Sequence, residues 1–130
     1  MPVTKEQIKK VLLVEDDNHI RLIIKTSLIK LAQWSVIEAR NGSEALLMAA
    51  GERPDLILLD IMMPGMDGTT AFKELQKNEA LSSVPVIFMT AKVQRQEIES
   101  YIKLGARGVI TKPVDPMTLP ELIIDTLNKS

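Results

Sequence analysis

Five short apolar runs alternate with longer segments of helical periodicity, and this alternation constrains the fold more than any other feature. The runs lie at 11–14, 36–39, 56–59, 86–89 and 108–110. Strands that alternate with helices form a parallel sheet, because each helix provides the crossover to the next strand. The uniformly apolar runs favour a sheet that is covered on both faces. The sequence therefore predicts a doubly wound α/β fold with the element order (βα)5.

The segments between the runs carry the usual signals of helices. In the first segment, apolar residues recur at helical spacing: Ile20, Ile23, Ile24, Leu28 and Leu31. Asp17 precedes them and is expected to cap this helix. The turn at 41–42 leads into a second helix, for which Ser43 is the expected cap. Gly105 is expected to end the fourth helix.

Polar residues follow four of the apolar runs, at the point where each strand is expected to end. The first run leads into the acids at 15–17, and the third into Asp60. The fourth leads into Thr90, and the fifth into Lys112 and Pro113. The carboxyl ends of parallel strands lie along one edge of the sheet, where ligands of such folds bind. We therefore expect these side chains to converge.

Three of the converging residues are carboxylates, namely Glu15, Asp16 and Asp60. Adjacent acids also suit the start of a helix, so the pair at 15–16 alone is weak evidence for a ligand site. Asp60 follows a fully apolar strand, where a carboxylate is costly to desolvate unless a cation compensates it. Mg²⁺ suits a few carboxylates, and the backbone carbonyl of Met62 could add a neutral oxygen.

Lys112 and Thr90 complete the expected cluster. The ammonium of Lys112 could bind a phosphate or a carboxylate, and the hydroxyl of Thr90 could bind a phosphoryl oxygen. Each could equally be an ordinary strand-end residue at the surface. Pro113 favours a functional lysine, because a proline fixes the turn and can form a cis bond that directs the side chain.

Composition excludes several classes of function. The net charge of −1 favours neither nucleic acid nor an anionic membrane as a partner, and the absence of cysteine excludes disulfides and thiolate metal sites. Aromatic residues make up only 3% of the chain, too few for a base-stacking platform. No apolar run is long enough to span a bilayer. We expect a cytoplasmic protein with a single domain over residues 1–130 and a core at about 9–127.

These residues together resemble the receiver domain of two-component response regulators. The matching motifs are the first strand with its acids at 11–17, the segment 60–68, the pair 90–91 and the pair 112–113. The resemblance implies a flavodoxin-like sheet with strand order 2-1-3-4-5. It also implies transfer of a phosphoryl group from a histidine kinase or a histidine phosphotransfer protein to an aspartate, followed by autodephosphorylation and no other enzymatic activity.

The resemblance assigns a role to each residue of the cluster. Asp60 matches the phosphorylated aspartate, and Mg²⁺ is the only implied cofactor. The metal ligands implied are Glu15, Asp16, Asp60 and the carbonyl of Met62. Thr90 and Lys112 match the groups that receive the phosphoryl oxygens. The implied partners are the phosphodonor and an unidentified downstream protein, for a receiver that is a monomer or a weak dimer.

Two positions depart from the family pattern. Family members usually carry Tyr or Phe three residues before the lysine, where this chain has Val109. Tyr101 lies in the fourth helix, where a small residue is more usual. A switch that couples Thr90 to a ring at position 109 therefore cannot operate here, and Tyr101 is the alternative candidate. Its simpler interpretation is a partly buried packing residue.

Three other functions remain to be weighed. A haloacid-dehalogenase-like phosphatase needs a second acid two residues after the nucleophile, and Met62 occupies that position. A flavin or nucleotide binder of this fold needs a glycine- and hydroxyl-rich loop after the first strand, where the acids at 15–17 would repel phosphate. A degenerate receiver that only binds partners is disfavoured, because all five key positions are intact.

Overall fold

The computed structural model describes residues 2–91 and 94–129. A short 3₁₀ turn at Lys5–Gln7 precedes the sheet. The strands are β1 (Lys10–Val14), β2 (Ser35–Ala39), β3 (Leu56–Asp60), β4 (Val86–Thr90) and β5 (Gly108–Thr111). The helices are α1 (Asn18–Ala32), α2 (Gly42–Glu52), α3 (Gly68–Gln76), α4 (Arg95–Leu104) and α5 (Leu119–Asn128).

The five strands form one parallel sheet in the order β2-β1-β3-β4-β5. This order confirms the predicted doubly wound, flavodoxin-like (βα)5 fold. Every residue of β3 and β4 is buried, as expected for inner strands that are covered by helices on both faces. The order reverses between β1 and β3, which is where ligands bind in sheets of this topology.

The sheet separates two apolar clusters, because successive side chains of a strand point to opposite faces. Leu12 and Val14 of β1 join one cluster, whereas Val11 and Leu13 join the other. The first cluster packs under α2 and α3 and is continued by Tyr101 of α4. The second packs under α1 and α5. Each face therefore has its own core, and the two cores share only the strands.

Two helix caps test the sequence analysis directly. Asp17 caps α1, since its Oδ1 accepts hydrogen bonds from the backbone N–H groups of His19 and Ile20. The prediction that Ser43 caps the next helix is wrong. Asn41 is the cap, because its Oδ1 accepts from the Glu44 N–H at 2.8 Å and the helix has already begun at residue 42.

One side of α1 carries more exposed apolar surface than its periodicity suggests. Ile24 and Leu28 are buried, but Ile23 and Leu31 lie outward together with Leu22. Exposed apolar residues that lie side by side commonly mark an interaction site. Within the described residues, no helix is long and apolar enough to cross a membrane.

Candidate functional site

Strand register brings the polar residues to one edge of the sheet. Val14 lies level with Leu59, so Glu15 and Asp60 follow at neighbouring positions of adjacent strands. Thr90 pairs with Thr111, the residue before Lys112. The Lys112 N–H also donates to the Thr90 carbonyl at 2.8 Å. These links explain why residues that are distant in sequence meet.

We use the term acidic pocket for Glu15, Asp16, Asp60, Thr90 and Lys112. One carboxylate oxygen from each of the three acids lies within 4.8 Å of the others. The two acids at the strand ends are buried, whereas Asp16 is exposed. The pocket therefore has a desolvated floor and one acid at its mouth, where a cation can enter from solvent.

Lys112 joins the two buried acids. Its Nζ lies 2.6 Å from Glu15 Oε1 and 3.2 Å from Asp60 Oδ2. Burial alone would lower the pKa of Lys112, but the ion pair with Glu15 and the charge of Asp60 raise it. The ammonium is therefore held in its charged form. The peptide bond between Lys112 and Pro113 is cis, the conformation that the sequence allowed for this proline.

One ammonium does not balance three carboxylates. Burial raises the pKa of Glu15 from 4.5 to about 7, and the ion pair with Lys112 only partly opposes this shift. Glu15 Oε1 is buried in an ion pair but forms no hydrogen bond of normal geometry. A second cation would satisfy this oxygen and relieve the repulsion among the acids.

The donor set of the pocket fits Mg²⁺. The three acids of the pocket offer carboxylate oxygens, which are atoms that this hard cation prefers. The partly unsatisfied Glu15 Oε1 and the three converging carboxylates both indicate that positive charge is lacking. Glu15, Asp16 and Asp60 could therefore hold the ion, and the Met62 backbone lies next to them.

The turn after β3 fixes the Asp60 carboxylate. The Met62 N–H donates to Asp60 Oδ1 at 3.0 Å, while the Met62 side chain is 59% exposed. A methyl group on Gly68 would lie 2.5 Å from the Asp60 carbonyl oxygen. Only glycine lets α3 begin this close to the strand end. Asp67 then caps α3 by accepting from the Thr70 N–H at 2.9 Å.

Tyr101 reaches the strand that ends in Thr90. Its ring meets Phe88 edge to face, with the two centroids 5.3 Å apart. Phe88 meets Phe72 of α3 in the same way at 5.2 Å. Val109 pairs with Phe88 across the ladder and is half-buried. Tyr101 thus lies on the side of α4 that faces the sheet and packs against Phe88 of β4, as both interpretations of this residue require.

Sequence reasoning missed Arg21, which touches the acidic pocket from α1. Its Nη1 donates to the backbone carbonyl of Glu15 at 2.8 Å, and its Nε donates to Glu38 Oε1 at 3.2 Å. One partner is a backbone atom and the other lies on β2. No residue spacing encodes such contacts, so the sequence offered no signal for them.

The chain is similar to known proteins in sequence and in structure. The family model described as response regulator receiver domain matches residues 11–124. Protein PilH of Pseudomonas aeruginosa is 36% identical over 112 residues, which cover 86% of this chain and 93% of PilH. The probable transcriptional regulator ycf27 of Pyropia yezoensis is 36% identical over 126 residues, but there the chain spans only 50% of the relative. The chemotaxis response regulator CheY4 of Vibrio cholerae has a TM-score of 0.85 at 29% identity, covering 92% of this chain and 99% of that chain.

Proposed function

Because the chain belongs to the family of response regulator receiver domains, we propose that phosphorylation of Asp60 switches the protein-binding surface of this protein. Phosphorylation-based switching is typical of the family, whose members are signalling switches. The observation that carries the proposal is the double ion pair of Lys112 with Glu15 and Asp60. It places an ammonium beside an aspartate that ends the strand at the topological switch point.

The reaction is an in-line attack of one Asp60 carboxylate oxygen on phosphorus. A P–O bond forms while the P–N bond of a phosphohistidine breaks, and the imidazole leaves with the electron pair. The Met62 N–H orients the carboxylate by its hydrogen bond to Oδ1. Burial of Asp60 removes competing water and strengthens the electrostatic interactions around it.

Lys112 and Thr90 receive the transferred group. The ammonium moves its interaction from the bare carboxylate to a phosphoryl oxygen, and the Thr90 hydroxyl donates to another. Mg²⁺ held by Glu15, Asp16, Asp60 and the Met62 carbonyl would supply positive charge against the developing charge on the phosphoryl oxygens. Water later attacks the acyl phosphate, and inorganic phosphate leaves with restoration of the Asp60 carboxylate. The protein thus acts on itself and on no other substrate.

The phosphodonor is proposed to be a histidine kinase or a histidine phosphotransfer protein that binds beside the pocket. Ile23 lines both a small apolar cleft next to Lys112 and a larger cleft with Leu22 and Met117. Leu22 is 60% exposed and Met117 is 72% exposed. This continuous apolar surface adjoins the site where the donor's imidazole must enter.

A charge on this surface tests donor binding. Leu22→Glu should slow phosphoryl transfer from a histidine-phosphorylated donor protein about tenfold, which corresponds to about 1.4 kcal/mol. Labelling by acetyl phosphate should not change, because the small donor needs no apolar surface. Leu47→Glu is the matched control, since Leu47 lies on α2 and is 76% exposed. Equal transfer rates in both variants would contradict the assignment of this surface.

Labelling with acetyl phosphate in the presence of Mg²⁺ tests the phosphoacceptor. Intact-mass spectra of the wild type should show the addition of one phosphoryl group, and Asp60→Asn should show none. Asp125→Asn makes the same chemical change at an exposed position of α5 and should be labelled like the wild type. Equal labelling of Asp60→Asn and the wild type would overturn the proposal.

The downstream target is proposed to be a protein whose affinity changes with the phosphorylation of Asp60. We also predict a monomer or a weak dimer, a cytoplasmic location and a single domain over residues 1–130. We expect no binding to nucleic acid or membranes. A pull-down that compares the phosphorylated with the unphosphorylated protein would identify the target.

A further inference from the structure

Next to the acidic pocket, the guanidinium of Arg21 donates hydrogen bonds to three different residues. Its Nη1 donates to the Glu15 carbonyl at 2.8 Å, its Nε to Glu38 Oε1 at 3.2 Å and its Nη2 to Asn18 Oδ1 at 2.6 Å. The side chain is only 12% exposed. Lys25 binds the second oxygen of Glu38 at 2.9 Å, so this carboxylate pairs with two cations through separate oxygens.

These contacts fix the point where the chain leaves β1. The Glu15 N–H donates to the Ala39 carbonyl of β2 at 3.0 Å, and the Glu15 carbonyl accepts from Arg21. The backbone N–H and the backbone carbonyl of Glu15 are thus both held by neighbouring elements. The Glu15 carboxylate accepts from the Asp17 N–H at 3.1 Å through its Oε2, which closes the turn that carries Asp16.

The geometry requires a planar group with several donors. Arg21 reaches the carbonyl of the residue that follows β1, a carboxylate on β2 and an amide oxygen at the start of its own helix. A guanidinium can serve three partners in fixed directions, whereas an ammonium is a single point of charge. Two partly buried oxygens, the Glu15 carbonyl and Glu38 Oε1, would lose a donor without it, and each loss carries a cost.

We propose that Arg21 is a positioning residue for the metal site, which holds the segment from Glu15 to Asp17 so that its acids converge with Asp60. The inference rests on the proposed function, since it concerns the same site. Arg21 does not touch the ion. It acts through the backbone of Glu15, in the manner of the outer groups that orient metal ligands.

Calorimetric titration with Mg²⁺ measures the predicted effect without any phosphorylation. Loss of such an outer group usually weakens metal binding by about 10- to 100-fold. Arg21→Met should therefore raise the Mg²⁺ dissociation constant at least about tenfold. The rate of labelling by acetyl phosphate at saturating Mg²⁺ should stay within about twofold of the wild-type rate, because the phosphoacceptor and Lys112 are unchanged.

Two further variants separate positioning from stability. Lys25→Met breaks an ion pair in the same cluster but leaves all Arg21 contacts, so its Mg²⁺ affinity should equal that of the wild type. Arg21→Lys keeps the charge but cannot make three directed contacts, and it should bind Mg²⁺ as weakly as Arg21→Met. It also provides the test if Arg21→Met does not fold.

The outcomes distinguish the two proposals. If the wild type binds Mg²⁺ and the folded Arg21 variants bind it equally well with a lower melting temperature, Arg21 is only structural and the inference is overturned. If Arg21→Lys binds like the wild type, charge rather than geometry matters, and the inference is again overturned. If the wild type itself does not bind Mg²⁺, the proposed metal site fails, and the inference fails with it.

Discussion

The two sides of the acidic pocket are held by different kinds of contact. The metal side comprises the ends of β1 and β2 with α1, where the helix cap of Asp17 and the charged contacts of Arg21 fix the backbone. The switch side comprises the ends of β4 and β5 with α4. There Tyr101 and Phe88 form an edge-to-face aromatic contact, and no residue of α4 is fully buried.

This difference indicates which side can move. Hydrogen bonds to charged groups have strict directions, so a shift of the Glu15 backbone would break several at once. A helix with little buried apolar surface is held weakly and can change its packing at a small cost in free energy. We therefore expect the metal side to keep its geometry during phosphorylation, while α4 adopts a new position.

The largest expected effect concerns the acid at the mouth of the metal side. Asp16→Ala should abolish Mg²⁺ binding, because Asp16 is the only exposed carboxylate of the pocket. Glu15→Gln should only weaken it, since Glu15 is already paired with Lys112. Calorimetry measures both. Asp17→Asn is the control, because asparagine preserves the helix cap. Unchanged affinity in Asp16→Ala would show that the metal lies elsewhere.

Lys112→Ala should uncouple phosphorylation of Asp60 from the structural response of the switch side. Phosphorylation should continue at a reduced rate, because Asp60 remains, but α4 should no longer respond. In the proposed mechanism the ammonium links the phosphoryl oxygens to β5, so we expect its loss to prevent the response of the switch side. Amide exchange in α4, with and without beryllofluoride, measures the response. The control Lys73→Ala removes an exposed lysine from α3. A normal α4 response in Lys112→Ala would refute the link.

A smaller effect is expected when the aromatic contact is removed from the switch side. Tyr101→Ala should lower the free energy of unfolding by about 2 kcal/mol, below the usual cost for a buried ring because Tyr101 is only half-buried. It should also reduce the gain in partner affinity on activation, since Val109 offers no ring for the switch. Tyr101→Phe keeps the contact and serves as the control.

Partner binding with and without beryllofluoride separates a switching role from simple packing. A population shift requires a group whose contacts differ between the two states. If Tyr101→Ala keeps the full activation-dependent gain, then Tyr101 only fills space beside Phe88, and the signal reaches the surface by another route.

The smallest expected effect is a pH dependence on the metal side. The hydrogen bond with Lys25, followed by the contacts with Arg21, lowers the pKa of Glu38 below its usual 4.5. A lowered pKa contributes stability above the unfolded value, and this contribution is lost as pH falls through the folded value. Because the pair is one-third exposed, we expect less than about 0.5 kcal/mol.

Chemical denaturation of the wild type and Glu38→Gln measures this contribution. The wild type should be slightly more stable at about pH 6, and the difference should vanish well below the usual carboxylate pKa. A difference that grows as pH falls would contradict the sign. If the expected small difference is found, the charged contacts of the metal side orient the side chains that form them without adding much stability.

Most of the architecture was accessible from the sequence because periodicity and strand-end residues are local signals. The order of elements followed from the alternation of short apolar runs and helical segments. The convergence of Glu15, Asp60 and Lys112 followed from the common edge of parallel strands. The strand order itself came from the family resemblance and is confirmed.

The errors concern features that depend on tertiary structure or on single backbone positions. The cap at Asn41 rather than Ser43 depends on where helical geometry begins, which sequence sets only within one or two residues. Helical spacing does not say how wide the covered face of a helix is, so it could not distinguish the exposed Ile23 and Leu31 from the buried Ile24. The Arg21 contacts join three elements and include a backbone carbonyl, so they exist only in the fold.

The close approach at Gly68 has a practical consequence for measuring motion. The Asp60 carbonyl leaves no room for a side chain at the first residue of α3, and the Gly68 N–H donates to the Ile61 carbonyl at 3.0 Å. The start of α3 is therefore tied to the end of β3, and we expect this helix to serve as a reference for spectroscopy. A spin label at the exposed Gln76 of α3 and another at the exposed Glu99 of α4 would report the displacement of α4 relative to α3, as a single interlabel distance.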